Sequence, residues 1–236
     1  MLTSVGFNVI GMMELQYDDF SLTWSFGGNS SIISFFGNHR GVISSEHWMT
    51  DLSDTFSFDC NGNISNMILS VPNRNDVIEV KEEGVNFGKL VLSCERLPTI
   101  QPMTVRMFDP VKRKLICFNR QGVKDVSVFR LQRDFGVMIS GGDYCGYIID
   151  NPLDYFSNEV NGYVDESNKP DDFEYHLMDC FFNVMSDNKV DESNNDIESV
   201  IVELADKIMP SLKFIKSDFR RGGLESTMQE LLSFYC

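Results

Sequence analysis

The sequence lacks most of the signatures that announce chemistry. Its six cysteines, Cys60, Cys94, Cys117, Cys145, Cys180 and Cys236, stand singly, and no close pair of the kind used for zinc ligation or dithiol exchange occurs. Scattered thiols of this sort suit a reducing compartment, so a cytoplasmic protein without metal or cofactor is expected. There are only three histidines, and no His-Glu-x-x-His, Gly-x-Ser-x-Gly or phosphate-loop pattern appears. No run of about 18 apolar residues could span a bilayer, and no cationic leader precedes the apolar residues of MLTSVGFNVIGMM. The Asn-x-Ser matches at Asn29 and Asn63 then carry little weight. The expectation is a non-enzymatic protein that does not enter a membrane.

Positive charge is also scarce. Thirty-five Asp and Glu face 20 Lys and Arg, for a formal charge of -15. The excess is uneven: residues 1–150 hold 17 acids against 13 bases, whereas residues 151–236 hold 18 against 7. Such a surface repels nucleic acid and anionic lipid and attracts a basic protein.

What the chain has in quantity is alternation. In FSLTWSF, residues 20–26, Phe20, Leu22, Trp24 and Phe26 share one face and Ser21, Thr23 and Ser25 the other, the period of a strand. Gly27-Gly28-Asn29 then permits reversal into SIISFFG. TFSFDC and ISNMILSV repeat the pattern around Asn61-Gly62, a pair favoured where both turn residues take positive φ. Further strands are expected at VIEVK, KLVLSC, TVRMF, RKLICF, DVSVFRL, FGVMIS and CGYIID, divided by short polar turns. Connections this short favour antiparallel neighbours, because parallel strands call for crossover helices.

After Asp150 the period lengthens. Phe173, Leu177, Cys180, Phe181 and Val184 form one helical stripe. A second stripe runs through Ile197, Val200, Ile201, Leu204, Ile208, Leu212, Ile215 and Phe219, with a kink or split due at Pro210. Gly222-Gly223 is read as its end, and Leu224, Met228, Leu231, Leu232 and Tyr235 as a last helix. The fold class is therefore α+β. An antiparallel β-meander over 1–150, barrel or sandwich, is followed by about three amphipathic helices over 151–236 packed on the sheet.

The pentapeptide VDESN occurs at 164–168 and again at 190–194. Neither copy fits a calcium loop, since the sixth and twelfth positions from Asp165 are Pro170 and His176, and from Asp191 they are Asp196 and Val202. Each copy precedes a potential helix cap, Asp171 three residues before Glu174 and Asn195 three before Glu198. A solvated linker into a capped helix is the plain reading. The sharper one follows from density: residues 159–198 carry 12 carboxylates and two lysines. A basic partner would relieve that self-repulsion, with Asp165, Glu166, Asp171, Asp172, Asp191 and Glu192 as the partner-binding set. An immunity-type inhibitor covering the polyanion site of a cationic toxin, such as a nuclease, is one concrete form.

Three other constellations compete. Residues 106–133 carry Arg106, Lys112, Arg113, Lys114, Arg120, Lys124, Arg130 and Arg133 against Asp109 and Asp125, with Phe108, Phe118 and Phe129 interleaved, which would suit a polyanion. That stretch could equally guard strand edges or face the acidic helices. His39 and His47, near Glu46, Asp51 and Asp54, have the residue types of a hydrolase site but no ligand spacing. His176 and Cys180 lie four apart, where a base and a thiolate could meet, although Cys180 belongs to the apolar stripe and is read as buried.

Overall fold

Strict alternation produces strands, and among the residues it describes the computed structural model arranges twelve of them in two facing sheets. It describes residues 6–17, 19–27, 30–37, 41–45, 54–80, 86–120, 125–158, 163–186, 200 and 202–235. One sheet has five strands, β2 (Ser21–Gly27), β3 (Ser30–Phe36), β4 (Ile43–Ser44), β5 (Thr55–Phe58) and β6 (Ile64–Val71), in the order β2-β3-β6-β5-β4, all antiparallel. The other has seven: β1 (Phe7–Met12), β7 (Asn86–Leu92), β8 (Val105–Asp109), β9 (Lys114–Phe118), β10 (Ser127–Gln132), β11 (Phe135–Ser140) and β12 (Asp143–Asp150). Their order is β1-β7-β10-β11-β12-β9-β8. The architecture is an α+β sandwich.

The sheets meet through aromatic rings. Phe7 stacks on Phe56 at 5.0 Å, Phe35 lies 4.9 Å from Phe135, and Phe56 meets Tyr144 edge-on at 5.3 Å, each pair joining one sheet to the other. The seven-stranded sheet is apolar on its outer face too, where Val105, Ile116, Val128, Met138 and Ile148 form a second cluster. All six residues of β11 are accordingly buried, which explains why FGVMIS reads as a continuous apolar run rather than as an alternation.

Two expectations about the sheet change. VIEVK does not form a strand over its described residues, 77–80. The ladder contact falls earlier, where Asn75 bridges Arg106, while Ile78 and Val80 cover the outer apolar face. The second change concerns direction. β7 and β10 run parallel, through Phe129↔Asn86 and Arg130↔Phe87, without a crossover helix. The β8–β9 hairpin makes that connection by pairing at the far edge, against β12. At Asn61-Gly62 only Gly62 takes a positive φ, 76°, because the Asp59 carboxylate accepts the Asn61 and Asn63 amides and organises a longer turn.

The helical half closes one side of the sandwich. A 3-10 turn at Pro152–Tyr155 delivers Phe156 and Ser157 to the free edge of β2, where Trp24 bridges Phe156 and the Ser157 amide donates to the Trp24 carbonyl at 2.9 Å. Helix α1 (Asp172–Val184) then lies between β2 and β8, the edge strands of the two sheets on that side. Phe181 reaches Phe26 at 5.0 Å and Phe182 reaches Phe108 at 5.3 Å, so one helix covers both edges. A single apolar cluster includes residues from strands and helices alike.

Pro210 behaves as its chemistry demands. A π-helical turn at Leu204–Ile208 precedes it, in which the Met209 amide donates to the Leu204 carbonyl five residues back, and the short helix α2 (Met209–Leu212) follows. The chain breaks at 213–217, not at the glycines. The Ser217 hydroxyl accepts the Arg220 amide at 3.3 Å, and α3 (Asp218–Tyr235) runs straight through Gly222-Gly223. Those glycines are not equivalent. A Cβ on Gly223 would lie 3.1 Å from the Phe156 ring and from the Ser157 carbonyl, whereas one on Gly222 would meet nothing within 4 Å. Gly223 thus permits close approach to the segment that seals β2. In urea denaturation, Gly222→Ala should stabilise the fold by about 0.5–1 kcal/mol, while Gly223→Val should destabilise it; equal gains at both sites would contradict the close contact.

Candidate functional site

The first VDESN copy is built as a turn and a cap. The Asp165 carboxylate accepts the Ser167 and Asn168 amides and the Asn168 side chain, at 3.0, 3.1 and 2.9 Å. The Asn168 side chain and then the Ser217 hydroxyl hold it down to about 2. Asp171 caps α1 by accepting the Glu174 amide at 3.1 Å, and its other oxygen meets Lys216 at 2.8 Å, which lowers its pKa. The second copy, with Asp191, Glu192, Asn195 and Glu198, lies outside the described residues.

Glu174 turns inward. Only 4% exposed, it receives Arg220 through Nε at 2.6 Å and Nη2 at 3.2 Å, and the same guanidinium donates to the Asn168 carbonyl at 2.8 Å. The start of α1, the VDESN turn and α3 are therefore tied at one point. Burial makes this pair depend on both partners, because a lone buried charge is costly.

Two cations of the basic stretch, Arg106 and Arg113, face α1, and the others pair with carboxylates of the β region or stay exposed. Arg113, in a left-handed conformation with φ 53° at the β8–β9 turn, pairs with Asp172 at 2.8 Å and lies over the Tyr175 ring at 4.9 Å. Arg106 is 2% exposed and stacks on Phe182 at 3.9 Å. Its Nε donates to Asn75 at 2.9 Å and its Nη2 to the Phe182 carbonyl at 3.0 Å, near the negative end of α1. Lys114 and Arg130 share Asp150, at 3.0 and 2.6 Å, Arg120 meets Asp76 at 2.9 Å, and Lys112 lies 3.8 Å from Asp109. Arg133 stays exposed, and Lys124 lies outside the described residues. Arg106 and Arg130 are thus buried, while Lys112, Arg113, Arg120 and Arg133 keep exposed side chains.

Of the candidate hydrolase residues, His39, His47, Glu46 and Asp51 lie outside the described residues. Asp54 is described and lies in the core. Its carboxylate accepts the Ser70 amide at 2.9 Å through Oδ1, while Oδ2 is buried without a hydrogen-bond partner, as is the nearby Tyr144 hydroxyl. Burial raises the Asp54 carboxyl to about 8, against the Ser70 hydrogen bond, so it stays protonated at neutral pH.

Helix α1 also corrects its own stripe. Its buried face is Glu174, Tyr175, Leu177, Met178, Phe181, Phe182 and Val184. Cys180 is exposed, as is His176, and Phe173 lies on the surface with its ring edge-on to Phe214 at 5.9 Å. The helix is rotated because Tyr175 and Phe182 must reach Phe108, a demand invisible in the spacing of 173, 177, 180 and 184. The interior thiols Cys117 and Cys145 are pushed up by burial, to about 12 and about 11, and are inert.

Between the β8 edge and the second half of α1 lies an open cleft of about 430 Å³ that the sequence did not disclose. Asn75, Asp76 and Val77 form one wall, Met107 and Phe108 belong to the strand, and Asp179, Phe182 and Asn183 come from the helix. Its two sides are pinned together by Asn75, whose side-chain amide donates to the Phe182 carbonyl at 3.2 Å and to Asn183 at 3.0 Å. No helix of the described residues is long and apolar enough to cross a membrane. The chain matches no protein-family model, no curated protein and no solved structure.

Two measurements check this geometry. Between about pH 4 and 8 the folded protein keeps a proton on Asp54 that the unfolded chain, with a carboxyl near 3.8, has released. The stability contribution is full below that range and lost as pH rises through the folded value. Asp54→Asn should therefore gain on the wild type as pH rises, by on the order of 1–3 kcal/mol at pH 8, and parallel pH profiles would refute the protonated acid. Glu174→Leu should cost about 3–5 kcal/mol by stranding Arg220. The double replacement Glu174→Leu with Arg220→Leu should cost less than that single change in the same denaturation assay.

Proposed function

We propose that the protein is a non-enzymatic binder whose acidic carboxyl-terminal half docks a basic protein partner, as an immunity-type inhibitor docks a cationic toxin such as a nuclease. One observation carries the reading. The internal cations reach Asp171, Asp172 and Glu174 and no further: among the described carboxylates of 163–186, Asp165, Glu166 and Asp179 form no ion pair. Asp165 is held by its own turn, and Asp171 and Asp172 hold α1 in place. The docking charge therefore falls on Glu166, on Asp179 and, by sequence, on Asp191 and Glu192 in the second pentapeptide. Carboxylates without internal cations steer a basic partner and quicken its approach at low ionic strength.

The test is retention of basic proteins on the immobilised protein at low and at high salt. Bound partners should elute as salt rises, and the triple variant Glu166→Gln, Asp191→Asn, Glu192→Gln should bind at least about tenfold more weakly at low salt. Undiminished affinity in that variant would reject the reading.

A further inference from the structure

The carboxylates at the start of α1 are answered from within the molecule, by Lys216, Arg113 and Arg220. Asp179, two turns along, is not. It is half-buried, no lysine or arginine of the described residues pairs with it, and its neighbours are the Asn183 amide, His176 and the like-charged Asp109. Burial raises its pKa, the sign of a carboxylate whose charge is under-compensated. It stands beside the cleft between β8 and α1.

The cleft's other surfaces suit what a cation carries behind it. The partly exposed Phe108 and Met107 side chains offer an apolar bed, and Val77 lies at its wall, 86% exposed. A long basic side chain buries its methylenes on such a bed while its head finds a carboxylate. Phe182 already holds one guanidinium, that of Arg106 at 3.9 Å. The nitrogens of Arg106 face Asn75 and the Phe182 carbonyl rather than open water, so this residue offers little to an anion. The cleft is open to solvent, and its volume of about 430 Å³ has room for one extended basic side chain.

We propose, resting on the reading of a basic partner, that this cleft receives an arginine or lysine side chain of that partner, its stem on Met107 and Phe108 and its charged head on Asp179. The test is titration of the isotope-labelled full chain with a hexa-arginine peptide at low salt, read residue by residue by NMR. The expected result is a response at 75–77 and 179–183. Asp179→Asn should remove that response and weaken the peptide about fivefold, whereas Asp179→Glu should retain it. Asp179 does not belong to the buried face of α1, so neither change touches the core. Salt-sensitive peptide binding with a silent cleft, or an unaltered response in Asp179→Asn, would overturn this inference and leave the wider reading standing. No salt-sensitive binding at all would overturn both.

Discussion

The structure depends on the aromatic seam that α1 forms between two strand edges. A sandwich leaves its edge strands with unsatisfied backbone groups and exposed apolar rims. Here β2 and β8 lie on the same side, and Trp24, Phe26, Phe156, Phe181, Phe182, Phe108 and Tyr175 pack continuously between them. The seam fixes the rotation of α1. That rotation decides which carboxylates turn inward to arginine and which remain at the surface, so the electrostatics of the helical half follow from ring packing.

Within that frame the charges divide into two kinds. Arg106, Arg113 and Arg220 clamp α1 at its end, its beginning and its buried side, each using a geometry that lysine could not reproduce: stacking on a ring, or a two-nitrogen approach to a carboxylate. Two arginines of the basic strands thus join the internal interface with α1, Arg113 by pairing with Asp172 and Arg106 by stacking on Phe182. Among the described carboxylates of 163–186, Asp165, Glu166 and Asp179 pair with no lysine or arginine. Asp54 is a third case, a carboxyl kept neutral by burial, which contributes no charge to either surface near pH 7.

Much of the β architecture was legible locally. Alternation in 20–26 placed β2 because a side chain's face is set by its parity along an extended chain, and the turns at Gly27-Gly28-Asn29 and Asn61-Gly62 placed β3 and β6 after it. The Asp171 cap was legible for the same reason, being a contact over three residues. Legibility failed where a distant partner decided. Gly222-Gly223 looked like a helix end, but Gly223 sits mid-helix against Phe156. Cys180 looked like core because its spacing fitted a stripe, until Phe182 and Tyr175 claimed the buried face. VIEVK has strand composition, yet its apolar residues lie over a sheet instead of extending one.

The sequence by itself determined the α+β class, the positions of most strands, the cap of α1 and the concentration of negative charge after residue 150, since each is written in neighbours a few residues apart or in composition. Tertiary structure alone decided the parallel meeting of β7 and β10, the pairing of Glu174 with Arg220 and of Asp172 with Arg113, and the cleft beside Asp179. Those features join residues more than 40 positions apart. Only the packing of rings between two sheets determines which distant groups come within a few ångströms, where burial and charge begin to act.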